Sequence, residues 1–76
     1  MTAKIVKTYP ELRRVLAARR QALHLTQDDV ERTAGLPRYF VRQFEGGSKH
    51  LSSETMARLL VALGVQLYLR QRSTAQ

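Results

Sequence analysis

The chain has 76 residues, with 13 basic and 6 acidic side chains and a formal net charge of +7. This length allows one small domain near the lower size limit for an independent core, so a second copy would help by burying more apolar area. The positive charge favours a polyanion as partner, although charge alone does not separate nucleic acid from an anionic membrane surface. The absence of cysteine excludes disulfides, thiolate metal sites and a cysteine nucleophile.

No apolar run approaches the ~20 residues that a membrane-spanning helix needs, so no membrane partner is predicted. The first ten residues lack the apolar core of a signal peptide, and a cytoplasmic, nucleoid-associated location is expected. The 2 histidines have no carboxylate cluster beside them and supply no catalytic set. We therefore predict neither an enzyme nor a metal or cofactor site.

The first helix is predicted to begin near Tyr9, with Pro10 and Glu11 in its first turn. Apolar residues recur along it at helical spacing, and arginines occupy the remaining positions. Arg19 and Arg20 lie nearest to the following segment and are predicted to contact phosphates, with solvated or internally paired arginines as the alternative. The apolar stripe consists of Leu12, Val15, Leu16 and Leu23.

Residues 26–45 are predicted to form two short helices set at an angle around Gly35. Thr26 is suited to cap the first of these helices, because its hydroxyl can accept from a free backbone N–H. Gly35 can supply the left-handed residue that ends it. The second helix is predicted to span residues 37–45, since Pro37 is tolerated at a first helical position.

The second helix of this pair has two chemically different faces. Its inner face is aromatic and aliphatic, whereas its outer face suits base edges, because Arg can be bidentate to guanine and Gln to adenine. An ordinary solvated helix surface is the alternative. The predicted base-contacting residues of the outer face are Arg38, Tyr39, Arg42 and Gln43.

Further residues are predicted to contact the DNA backbone. Gln27 stands at the front of the first helix of the pair, where its amide and the outward N–H groups can donate to phosphate. Ser48 and Lys49 lie in the polar loop after the second helix, where Lys49 can meet a phosphate as a flexible charge.

A fourth helix is predicted after this loop, capped by Ser52 or Ser53 and ended by Gly64. Its Met-Leu stripe is typical of a core rather than of a cofactor site. The helical core of this one domain is thus predicted over residues 9–64. The stripe consists of Met56, Leu59, Leu60 and Leu63.

From residue 65 the apolar residues alternate with period two, which predicts a short strand over residues 65–71. A single strand leaves its own backbone groups unpaired and needs a partner. Residues 1–8 could supply that partner as a short strand, with an arm or a frayed terminus as alternatives. We favour the same strand of a second copy, which would form a symmetric homodimer contact. The predicted dimer interface consists of Val65, Leu67, Tyr68 and Leu69.

An ordered set of short motifs runs from about Leu16 to Leu69. The motifs are Leu25-Thr26-Gln27, Ala34-Gly35-Leu36-Pro37, Val41-Arg42-Gln43-Phe44-Glu45-Gly46-Gly47 and Ser53-Glu54-Thr55-Met56. In this order and spacing the sequence resembles the Cro/C1-type helix-turn-helix family, also called XRE.

That resemblance implies an all-α, lambda-repressor-like fold of four to five helices and a sequence-specific repressor of a palindromic operator on double-stranded DNA. Gln27 matches the family position that grips phosphate, and Arg38, Tyr39 and Gln43 match positions that reach base edges. Arg42 matches a neighbouring position that touches either base or backbone.

Within that family, the chain length and the strand-like residues 65–69 resemble HipB-type antitoxins. The resemblance implies a C-terminal strand that pairs between two subunits, repression of the protein's own operon and neutralisation of a HipA-type serine/threonine kinase toxin. A free-standing or phage-type repressor without a toxin is one alternative. A protein-interaction module whose charged face meets an acidic protein is another.

Overall fold

The computed structural model describes residues 5–66, which form four α-helices around one apolar core. The helices are α1 (Tyr9–Ala22), α2 (Gln27–Ala34), α3 (Phe40–Glu45) and α4 (Ser53–Ala62). The predicted all-α fold is confirmed for this part of the chain. None of these helices has the length and apolarity that a membrane crossing requires.

The core draws at least one fully buried apolar side chain from each helix or its cap. Phe44 of α3 is the largest of them and is 1% exposed. The ring of Tyr9 meets it edge-on, with 6.1 Å between the ring centroids. The inner face of α3 therefore packs in the core. The buried apolar residues are Leu16, Val30, Val41, Phe44, Leu59 and Leu63.

Three of the four helices begin on a hydroxyl from the residue that immediately precedes them. Thr8 accepts from the Glu11 N–H, and Ser52 caps α4 in the same way. Thr26 forms a reciprocal pair with Asp29: the threonine hydroxyl accepts from the Asp29 N–H at 2.9 Å, and the carboxylate accepts from the Thr26 N–H at 2.9 Å. The predicted cap Thr26 is confirmed, and Ser52 rather than Ser53 caps α4.

The predicted start of α3 at Pro37 is wrong, because the helix begins at Phe40. Tyr39 adopts a left-handed conformation with φ 68°, which a helix interior does not accommodate. The Phe40 N–H donates to the Pro37 carbonyl at 3.2 Å, closing a turn ahead of the helix. Arg38 and Tyr39 consequently lie in this turn rather than on the helix.

The predicted strand over residues 65–71 falls mostly beyond the described part of the chain. Val65 is half-buried against the core and belongs to neither a helix nor a strand. Its N–H donates to the Leu60 carbonyl at 2.9 Å. Leu67, Tyr68 and Leu69 lie outside the described residues, so the strand and its pairing stay predictions.

Candidate nucleic-acid interface

The C-terminal end of α3 is held by a network around the Glu45 carboxylate. Arg20 of α1 donates to it through Nε at 2.7 Å and Nη2 at 3.1 Å, and Gln27 of α2 donates through Nε2 at 2.9 Å. The Arg20 side chain is 12% exposed and that of Glu45 is 14% exposed. The Arg20 Nη1 donates to the Leu25 carbonyl at 2.8 Å, so this guanidinium joins α1 to α3 and to the loop before α2, and Gln27 adds α2 to the network.

The N-terminal end of α3 is held by a second carboxylate, that of Glu31 on α2. Its Oε1 accepts from the Tyr39 N–H at 3.2 Å, and its Oε2 accepts from the Val41 N–H at 2.9 Å. Glu31 is 5% exposed. Since no side chain of the preceding turn caps α3, these bonds take the place of a local cap.

Between these two anchors the outer surface of α3 and its leading turn is exposed and cationic. The guanidinium carbon of Arg38 lies 4.8 Å from the centroid of the Tyr39 ring, and that of Arg42 lies 5.9 Å from it. Tyr39 is 49% exposed. We call these three residues the Arg38–Tyr39–Arg42 cluster; stacking of this kind restricts the orientation of a guanidinium. Gln43 is exposed beside it.

The loop after α3 is fixed against both α3 and α1. Ser48 donates to the Gln43 carbonyl through its N–H at 2.9 Å and its hydroxyl at 3.2 Å. The ammonium of Lys49 lies 4.6 Å from the centroid of the Phe40 ring. Farther along, the Leu51 N–H donates to the Tyr9 hydroxyl at 2.9 Å. The loop therefore holds the exposed residues Ser48 and Lys49 next to α3.

The carboxylates of the described residues leave the cations of this surface unpaired. Asp28 and Asp29 pair with Arg32 on α2, and Glu54 pairs with Arg58 on α4. Within residues 5–66 no ion pair involves Arg38, Arg42 or Lys49. Their charge remains available for an anion.

The remaining predicted phosphate contacts have partners within the chain. All three guanidinium nitrogens of Arg20 donate internally, to Glu45 and to the Leu25 carbonyl. Gln27 uses one amide hydrogen on Glu45. Arg19 is exposed, and its Nε donates to the Leu63 carbonyl at 2.9 Å. The structure thus brings Arg38, Tyr39 and Arg42 together but places Arg19 beside the end of α4.

The residues that orient this surface are not predicted by the sequence pattern. Glu31 lies on the same arc of α2 as the buried Val30, and a carboxylate in that position signals a buried acceptor. The sequence around Glu45, which follows the buried Phe44, does not indicate that Arg20 is its partner, because Arg20 is 25 residues away in the sequence. The sequence pattern predicts Tyr9 only as the start of a helix, whereas its hydroxyl also holds the distant loop.

Two helices joined by a left-handed glycine turn, the second presenting a cationic and polar face, define a helix-turn-helix DNA-binding domain. The helix-turn-helix family model matches residues 16–69, more than half of the chain. The chain belongs to this family, and it is a Cro/C1-type DNA-binding transcription regulator. No curated protein and no solved structure matches it. No group of three or more histidines or carboxylates within residues 5–66 could hold a metal ion.

Proposed function

We propose that the protein is a sequence-specific repressor that binds a palindromic operator as a homodimer. The Arg38–Tyr39–Arg42 cluster carries this proposal, because it is exposed and bears no ion pair within the described residues. It lies on α3 and the turn that leads into it, and this helix is held at both ends. Each α3 would enter the major groove of one half-site, and the half-sites would lie one helical turn, ~34 Å, apart.

Base discrimination would come from the outer surface of α3 and its leading turn. Arg38 and Arg42 would each donate to a guanine, with Tyr39 restricting the orientation of both guanidiniums. Gln43 would pair with an adenine. A good bidentate pair of this kind is worth ~1–3 kcal/mol of discrimination against the wrong base.

Phosphate contacts would set the register of the protein on the duplex. Gln27 would donate its second amide hydrogen to a phosphate while Glu45 holds the first. Ser48 and Lys49 would contact the backbone from the loop, and Arg19 would do so through its terminal nitrogens. Arg20 would act through Glu45 and Gln27, since its own nitrogens are engaged.

Dimerisation through residues 65–71 is supported by their alternating sequence. The described end of the chain adds a second observation: Val61 is 80% exposed on α4, the helix that leads into this segment. An open groove of about 310 Å³ lies along the same helix, lined in part by Leu51, Met56 and Leu60. Burial of such apolar surface would stabilise a small domain. Sedimentation of the wild type and of Leu67→Asp would test this; a wild-type monomer at micromolar concentration would contradict it.

We further propose that the repressor is a cytoplasmic HipB-type antitoxin that represses its own operon and neutralises a HipA-type kinase toxin. The support is the resemblance of its length and of residues 65–69 to that subfamily. A free-standing or phage-type repressor is the alternative. A neighbouring kinase-like reading frame whose product co-purifies with this chain would favour the antitoxin, and a solitary gene would favour the alternative.

A nuclease footprint on the DNA upstream of the gene tests the DNA-binding proposal. We expect a protected palindrome that survives an excess of unrelated duplex. Binding that protects no defined sequence and disappears with added salt would contradict sequence-specific repression, because a sequence-blind contact is electrostatic and salt-dependent.

A further inference from the structure

The start of α3 differs from the start of every other helix in residues 5–66. The first turns of α1, α2 and α4 are each capped by the hydroxyl of the residue before them. The residue before α3 is Tyr39, which is left-handed and makes no side-chain cap. Free N–H groups at a helix start need acceptors, and here they find them on a different helix.

We propose that Glu31 is the positioning residue of the DNA-reading surface. Its carboxylate spans the junction, with one oxygen on the N–H of Tyr39 and the other on the N–H of Val41. It therefore fixes the left-handed residue and the first turn of α3 relative to α2 at the same time. This inference rests on the proposed function, in which that surface reads bases.

The geometry links Glu31 to base discrimination rather than to stability alone. The backbone of Tyr39 is held by Glu31, and the ring of Tyr39 stacks with the guanidiniums of Arg38 and Arg42. A displaced Tyr39 would carry both guanidiniums with it. Hydrogen bonds to base edges are lost at such displacements, because donor–acceptor geometry tolerates only a few tenths of an ångström.

The burial of Glu31 makes this role specific to an acceptor side chain. The residue is 5% exposed, and its two oxygens accept charge-assisted bonds from backbone N–H groups. Glu31→Ala removes both acceptors, whereas Glu31→Gln keeps one oxygen in place. The neighbouring Val30 is 1% exposed and makes no such bonds, so Val30→Ala is a matched control for loss of packing on the same helix.

Amide hydrogen exchange tests the cap without DNA. In Glu31→Ala we expect the Tyr39 and Val41 amides to exchange about tenfold faster relative to the Asp29 amide, whose cap is Thr26. Val30→Ala should change the three amides together. Unchanged relative exchange of Tyr39 and Val41 in both Glu31 variants would overturn the cap.

Selection from a random duplex library tests the link to specificity, at a temperature at which every variant is folded. The measured quantity is the ratio of Kd values for the best single-base variant and the selected duplex. We expect this ratio to fall about fivefold or more in Glu31→Ala, less in Glu31→Gln and not at all in Val30→Ala.

The two proposals fail in different ways. A wild type that enriches no duplex would overturn the proposed function and, with it, the reading role of Glu31, while the exchange data still decide the cap. A wild type that enriches a duplex, with the same ratio in both Glu31 variants, would overturn only the role of Glu31.

Discussion

The two helices of the helix-turn-helix are specified in different ways. The start of α2 is stabilised by contacts that are local in the sequence, because Thr26 and Asp29 form a reciprocal cap within one turn. Both ends of α3 depend on other helices: Glu31 of α2 holds its start, and Arg20 of α1 holds Glu45 at its end. A six-residue helix is too short to be stable on its own. The element that would read DNA is thus the one most dependent on the rest of the fold.

This difference separates the residues that hold α3 from those that face outward on it. Val41 and Phe44 are almost fully buried, and Arg42 and Gln43, which lie between them in the sequence, are exposed. Changes on the inner side should reduce the free energy of unfolding. Changes on the outer side should leave stability almost unchanged and alter binding.

Replacing Phe44 should produce the largest effect. Phe44→Ala leaves a cavity in the centre of the core and should lower the free energy of unfolding by ~3–5 kcal/mol. Urea unfolding measures this. A variant with no cooperative unfolding transition would show a still larger loss of stability. Arg42→Ala is the control and should change stability by less than ~0.5 kcal/mol. Equal losses in the two variants would contradict the division between the faces.

Removing Arg20 should have the next largest effect. Arg20→Ala leaves the 14% exposed carboxylate of Glu45 with Gln27 as its remaining partner, and should lower the free energy of unfolding by ~3 kcal/mol. The matched control is Arg58→Ala, which breaks an exposed pair of 3.0 Å with Glu54 and should change stability by less than ~0.5 kcal/mol. A loss of under ~1 kcal/mol for Arg20→Ala would show that the network does not hold α3.

Replacing Lys49 should produce a smaller effect, on the salt dependence of DNA binding. Lys49→Ala should reduce the slope of log K against log salt concentration by ~1, because one phosphate contact releases about one counterion. Titrations at several salt concentrations measure this slope. Arg14→Ala, an exposed change on α1 outside the proposed interface, should leave it unaltered. If the two variants behave alike, the loop does not contact the DNA backbone.

The smallest effect should be on the pH dependence of stability, through Asp29 at the start of α2. The Thr26 N–H, followed by the Thr26 hydroxyl and Arg32, lowers the pKa of Asp29 below its usual 3.8. A lowered folded-state pKa contributes stability above the unfolded value, and that contribution is lost as pH falls through the folded value. Asp29→Asn should therefore flatten the decline in stability below about pH 4. Unfolding midpoints of the wild type and of Asp29→Asn between about pH 5 and pH 2 measure this. The same decline in both proteins would contradict the prediction.

The same division explains how much of the structure could be predicted from the sequence. The starts of α1, α2 and α4 follow from Thr8, Thr26 and Ser52 and from short-range chemistry, and α1, α2 and α4 were predicted close to their observed bounds. The start of α3 was predicted wrongly at Pro37, because the left-handed Tyr39 and its acceptor Glu31 are joined across 8 residues.

The candidate site shows the same limit. The helical pattern predicts that Arg42 and Gln43 are exposed, since polar side chains opposite Val41 and Phe44 must face solvent. Arg38 and Tyr39 are exposed as predicted, but in the turn before α3 rather than on the helix. The partners of Arg20 and Gln27 could not be predicted, because Glu45 meets them only after three helices have packed. Local patterns therefore identify the surface, whereas its orientation depends on contacts between distant residues.

The specificity of Gln43→Ala tests the central claim most directly. The measurement is the Kd for the footprinted operator and for a scrambled duplex of the same length and composition, at one salt concentration. If α3 reads bases, the ratio of the two values should fall by ~5-fold or more, with the scrambled Kd nearly unchanged. A proportional rise of both Kd values, leaving the ratio at its wild-type level, would show that the outer face of α3 binds DNA without reading it.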